Sequence, residues 1–288
     1  MPVIEAVSKE SGKDGRAARR RKIIKSVMYT AECFARISGK EKGNQMGMLV
    51  ASCDESGKLA DPSCVTFAGW LADITKLNAM SQNRDELLDS KGLAYIKMSE
   101  VLSFRGEFSG WRDRIEERDR LLLDLICISR EAAVCFVAAT MPCEQFKSLP
   151  NVHRAELVNP QYCGFETCID IMVSHAIKRN QQLQIWCDST EEYAETCIKL
   201  YRKLRMQNQT VRDTCVSITF GEDQHFPPLQ AADVWASCVR LDYLRSVKTP
   251  DPLVAQLMEL FGQNRWFGSG FMTYGPDSGL GGGIISLS

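Results

Sequence analysis

From Leu183 onward the chain alternates short apolar runs with helical stretches: a strand over Leu183–Cys187, a helix over Thr190–Arg205, a strand over Val216–Phe220 and a helix over Pro228–Leu244. Strands separated by helices can lie side by side only if each helix crosses over the sheet, so this half predicts parallel pairing under a helical layer. The first half is built differently. Met46–Cys53 is a short β-compatible apolar run that stops at Asp54-Glu55-Ser56-Gly57, and Val65–Leu71 follows after a loop containing Pro62, as in an antiparallel hairpin. A helical stretch over Ile74–Leu88, a strand-like Ala94–Met98 and a charged helix over Trp111–Ile128 then read as an insertion, residues 73–131. Ala132–Ala139 returns to the core as a third strand, and a helix over Phe165–Lys178 follows it. The expected fold class is α/β: a mixed sheet, antiparallel at its N-terminal hairpin and then parallel, flanked by helices and carrying a helical insertion. A single domain over residues 46–262 would follow a basic arm and lead-in, residues 1–45. Residues 263–288 would form a Gly-rich tail with the aromatics Trp266, Phe267, Phe271 and Tyr274.

Composition narrows the function classes. With 288 residues, 44% hydrophobic and 25% charged, the chain has ordinary globular usage, which excludes collagen-like and largely disordered classes. The apolar run Ala132–Ala139 is far short of the roughly 20 residues that span a bilayer, and no apolar signal core opens the chain, so no membrane span or export is expected. The twelve cysteines include no C-x-x-C, the Cys163/Cys168 pair has no His at a zinc spacing, and most sit in apolar segments. They read as reduced thiols of a cytoplasmic protein. No phosphate-cradling G-x-x-x-x-G-K-[ST] is present. The net charge of -1 conceals a basic start: residues 1–25 hold eight Lys/Arg against three Asp/Glu, concentrated in Arg16, Arg19, Arg20, Arg21, Lys22 and Lys25. Such a run suits a nucleic-acid backbone, or is a solvated helix face.

The acidic residues carry the chemical signal. Asp54 and Asp188 each follow an apolar strand, and if those strands are parallel neighbours both carboxylates face the same sheet end; either alone is also an ordinary turn or cap residue. Asp233 lies in Leu229-Gln-Ala-Ala-Asp-Val-Trp235, among small and apolar neighbours where a charge needs a partner or a metal. Glu166 opens the helix that precedes Asp188, with Asp170 one turn later as its competitor. Hydrolysis of a phosphodiester needs an activated water and a stabilised leaving oxygen, and two Mg²⁺ or Mn²⁺ ions on a few carboxylates supply both.

Asp54-Glu-Ser-Gly57, Ile185-Trp-Cys-Asp188 and Pro228-Leu-Gln-Ala-Ala-Asp233, in that order, resemble the domain of unknown function 3800 family, a bacterial and phage group regarded as ribonuclease H-like; the likeness spans about Met46 to Tyr243. Acidic residues in that fold sit on the first strand, the first core helix, the fourth strand and a C-terminal helix. The resemblance therefore implies Asp54, Glu166, Asp188 and Asp233 as catalytic and metal-binding residues, two Mg²⁺ or Mn²⁺ ions, and His225 as a loop histidine beside the leaving product. The implied activity is that of a metal-dependent nuclease or related phosphoryl-transfer enzyme on DNA or RNA. The alternative is a catalytically silent module of the same fold that binds a protein or nucleic-acid partner. A small-molecule hydrolase would instead need a Cys or Ser nucleophile beside a histidine. Oligomeric state is left open.

Overall fold

The computed structural model describes residues 47–57, 63–148, 151, 160–189, 191–245, 252–261, 264–268 and 271–275. In chain order the elements are β1 (Met48–Ser56), β2 (Cys64–Asp73), α1 (Ile74–Ser90), α2 (Met98–Ser103), α3 (Ile115–Ala132), β3 (Ala133–Pro142), α4 (Cys143–Ser148), α5 (Pro160–Lys178), β4 (Gln182–Asp188), α6 (Glu191–Gln207), α7 (Gln209–Thr214), β5 (Cys215–Gly221), α8 (Pro227–Arg245), α9 (Pro252–Phe261), β6 (Asn264–Gly268) and β7 (Phe271–Gly275). They build one sheet of order β5-β4-β1-β2-β3-β7-β6. β1, β2 and β3 pair antiparallel in sequence, whereas β4 joins the other edge of β1 in parallel and β5 joins β4 in parallel. This is the ribonuclease H-like mixed sheet flanked by helices, with α1 to α3 inserted between β2 and β3. The basic arm lies outside the described residues. Within the stretch 263–288 set apart above, β6 and β7 pair antiparallel and continue the sheet beyond β3 through pairs such as Ala138 with Tyr274.

Burial on both faces explains why the central strands read as unbroken apolar runs. In β1, Met48 and Val50 pack into one core with α1, α3, α8 and α9, while Leu49, Ala51 and Cys53 pack into a second core with α5 and α6. The period of two then places Ser52 and Asp54 on the α8 side. In β4, Trp186 faces the α8 side and Ile185 and Cys187 face away, so Asp188 also faces α8. Two indole N–H groups peg that helix to the sheet: Trp70 of β2 donates to the Pro228 carbonyl (2.9 Å) and Trp235 of α8 donates to the Val137 carbonyl of β3 (2.8 Å). The ten cysteines whose side chains are described are free thiols, all buried except Cys127. No helix among the described residues is long and apolar enough to cross a membrane.

The structure moves two expected boundaries. The first strand runs on to Ser56, so Asp54 is a strand residue registered opposite Ala68 and not the start of a turn. The strand-like Ala94–Met98 is instead an irregular segment leading into α2; its Ile96 and Met98 N–H groups donate to side chains of α8, so no neighbouring strand is needed to satisfy them. Chain reversal after β1 depends on Gly57, whose φ of +101° disfavours any side chain. A Cβ there would also sit 2.6 Å from the Cys64 carbonyl oxygen. Gly57→Ala is therefore expected to destabilise the protein by about 2 kcal/mol and lower its melting temperature by several degrees in a thermal denaturation scan.

Candidate functional site

Asp54, Asp188 and Asp223 all lie at or just beyond the C-terminal ends of mutually parallel strands β1, β4 and β5, the edge at which open α/β sheets present their ligand sites. Asp233 reaches this edge from α8. Asp54 is 6% exposed, Asp223 4% and Asp233 9%. Asp188, half-buried, ends β4 opposite Gly221 of β5.

Each carboxylate is held by local donors. Asp54 Oδ1 accepts the Glu55 N–H (2.7 Å) and Asp188 Oδ1 accepts the Ser189 N–H (2.8 Å). Asp223 opens a single 3-10 turn after β5; its N–H donates to Asp188, and its Oδ2 accepts from Lys97 Nζ at 2.7 Å. Asp233 Oδ2 accepts the Met98 N–H (2.7 Å), and its Oδ1 accepts from the Ser237 hydroxyl (3.4 Å). One turn earlier on α8, the Gln230 carboxamide accepts the Ile96 N–H (3.2 Å) and donates to the Asp223 carbonyl (3.0 Å). A face of α8 formed by Gln230, Asp233 and Ser237 thus clamps the insertion segment around Lys97 onto the sheet edge.

The four charges act on one another. Burial, followed by the charges of Asp233 and Asp188, holds the Asp54 carboxyl well above the usual carboxylate range. Burial also pushes Asp233 up to about 6, against the Met98 N–H and Lys97, with Asp223 and Asp188 adding to the rise. Asp188 is raised by burial and by Asp223, against the Ser189 N–H and Lys97. Buried carboxylates that raise one another's proton affinity are a common mark of a functional site.

Glu166 needs a correction. Its helix begins at Pro160 and not at Phe165, so Glu166 is not in the first turn, and α5 packs on the far face of the sheet through Phe165, Cys168, Ile169 and Met172. There Glu166 is raised by burial against Lys203, and Asp170 is raised to about 6 by burial and by Glu166. The charges that bear on them are Lys203 and one another. His225 closes the 3-10 turn that Asp223 opens, and its half-exposed ring lies 3.3 Å from Glu222. Sequence reasoning missed Asp223 and Lys97. The spacing Asp223-x6-Gln230-x2-Asp233 carried a faint signal, since it points a second acid at the same helix start.

The donor set suits a hard divalent cation, which takes oxygen ligands and in the case of Mg²⁺ often only one or two carboxylates plus water and substrate phosphate. Among the described residues no three His, Cys, Asp or Glu side chains converge closely enough to hold an ion by themselves.

No protein-family profile and no curated protein matches the sequence. Among solved structures, the chain is similar to one in the PCNA:RNase HII complex from Archaeoglobus fulgidus, with 16% identity over 73% of this chain and 87% of that one and a TM-score of 0.34. It is also similar to ribonuclease H2 from Pyrococcus horikoshii OT3, with 11% identity over 75% of this chain and 100% of that one and a TM-score of 0.32. The fold assignment stands on the strand order and pairing given above.

Proposed function

We propose that this chain is a divalent-metal-dependent nuclease or related phosphoryl-transfer enzyme, and that its likeness to the domain of unknown function 3800 family reflects membership. The observation that carries the reading is the group of mutually interacting aspartates, Asp54, Asp188, Asp223 and Asp233, at one sheet edge. One or two of Asp54, Asp188 and Asp233, together with water and substrate phosphate, would hold each Mg²⁺ or Mn²⁺, which when bound supplies an acidified water and stabilisation of charge on the leaving oxygen. The chain's own part is to aim these carboxylates from rigid strand ends and a pegged helix. Their raised proton affinities mean that protons are released as the cation binds. Asp223 fixes Lys97 beside them. The basic residues Arg16 to Lys25 are proposed to lie along the nucleic-acid backbone.

The second reading, a silent binding module, draws on the Lys97–Asp223 ion pair and on the Met98 bond to Asp233, which give two of the acids a structural task. One screen separates the two. Single-stranded DNA, duplex DNA, RNA and an RNA–DNA hybrid are incubated with the full chain in Mg²⁺, Mn²⁺ or EDTA. Cleavage of at least one substrate in Mg²⁺ or Mn²⁺ and of none in EDTA is the expected result. Binding without cleavage of any of the four overturns the nuclease reading in favour of the module.

A further inference from the structure

Lys97 is the positive charge that bears on both Asp188 and Asp233 at this site, and it comes from the insertion between β2 and β3. Its backbone is pinned on both sides: the Ile96 N–H donates to Gln230 Oε1 and the Met98 N–H donates to Asp233 Oδ2. The ammonium is pinned as well, 2.7 Å from Asp223 Oδ2, yet the side chain remains 36% exposed while that of Asp223 is only 6% exposed. An ammonium has three N–H donors. One is used on Asp223, and no second acceptor meets the ammonium among the described residues.

Burial works against the charge on Lys97, but the hydrogen bond to Asp223 and the charges of Asp223, Asp233 and Asp188 outweigh it, so the group stays an ammonium. A fixed, half-open cation with spare donors among acids is built to receive an anion. Without it the aspartates would repel a phosphodiester from the very edge at which they are to act.

We propose that Lys97 is the substrate-binding cation of this site, anchored on Asp223 so that its remaining N–H donors meet a non-bridging oxygen of a nucleic-acid phosphodiester beside Asp188 and Asp233. This rests on the nuclease reading and names the residue that admits its polyanionic substrate. Asp223 is then a positioning residue, which explains a buried acid whose carboxylate points at a lysine.

The test is equilibrium binding of labelled single-stranded DNA, duplex DNA, RNA and hybrid oligonucleotides, followed by fluorescence anisotropy across a salt series with Ca²⁺ in place of Mg²⁺. The full chain is compared with Lys97→Met, Lys97→Arg and the double variant Lys97→Met/Asp223→Asn, which does not strand a buried carboxylate if Lys97→Met fails to fold. Loss of Lys97 should weaken binding about tenfold and lower the slope of log affinity against log salt by about 0.7–0.9, while Lys97→Arg keeps both close to the parent. Ca²⁺ affinity by calorimetry should be unchanged or tighter without Lys97, which a general loss of structure would not produce. Wild-type affinity and slope in the double variant overturn the assignment, even if the parent cleaves nucleic acid. A Lys97-dependent slope in a parent that cuts nothing in Mg²⁺ or Mn²⁺ supports the assignment and sinks catalysis instead. A parent that binds none of the four sinks both.

Discussion

Asp54→Asn and Asp188→Asn are each expected to lower cation-dependent cleavage by about three orders of magnitude, the equivalent of removing roughly 4 kcal/mol of stabilisation from the reacting charge. The amide keeps the shape of the side chain and a carbonyl oxygen that can still accept the Glu55 or Ser189 N–H. What it removes is the charge that would hold the ion. The same substitutions should not harm the fold. Asp54 and Asp188 already sit in a field of like charge, so neutralising either relieves repulsion, and in EDTA the variants should melt a few degrees above the parent. Loss of activity together with a raised melting temperature is a pattern that misfolding cannot give. Full activity in both variants would show that the chemistry is carried elsewhere.

The parts of this site that were legible in the sequence share one property: their context is apolar. Asp54 and Asp188 stand out because each is the first charge after a strand buried on both faces, and Asp233 stands out because Ala231, Ala232, Val234 and Trp235 around it are buried. Asp223 had no such contrast. It lies in Gly221-Glu222-Asp223-Gln224-His225, a polar run that reads as a solvated loop, yet it is buried and its partner Lys97 lies 126 positions earlier. That contact depends in turn on the segment Ala94–Met98, whose alternating pattern suggests a strand. The backbone donors at Ile96 and Met98 are satisfied by Gln230 and Asp233 side chains, an arrangement that period-two alternation cannot distinguish from strand pairing. Glu166 shows the opposite difficulty, for its helix starts at Pro160 and not beside it. An acid near a helix start is readable from sequence, but the face of the sheet on which that helix packs follows from the crossover, and α5 crosses on the side away from α8.

Metal-free protein should become more stable as the pH falls from about 7 to about 5, against the ordinary trend for acid. The ordinary trend comes from carboxylates whose native proton affinity is lowered, such as Glu117 beside Arg114 and Lys91; their contribution is lost as pH falls. Asp233 works in the other direction. Its native carboxyl titrates at about 6 against an ordinary 3.8, so between these values the folded chain holds a proton that the unfolded chain has released. Stability therefore declines as pH rises through that window, and the full penalty is present above it. A rise of about two units corresponds to a few kcal/mol in full, of which roughly 1–2 kcal/mol, or about 3–5 °C in melting temperature for a chain of this size, is recovered between pH 7 and pH 5. Asp54, raised by burial and by Asp233, adds a penalty of the same sign. The measurement is a set of melting curves in EDTA from about pH 7 down to about pH 5 for the parent and for Asp233→Asn. The amide retains an acceptor for the Met98 N–H and so keeps the clamp on the insertion. The variant should melt higher than the parent near pH 7, and the two curves should converge as the parent's carboxyl takes up its proton. Mg²⁺ near pH 7 should recover the same stability in the parent, because a cation bound to the native state alone stabilises it by mass action, and should do less for the variant. Parallel profiles with a constant offset would mean that Asp233 carries no strained charge, and the reading of this sheet edge as a cation site would lose its electrostatic basis.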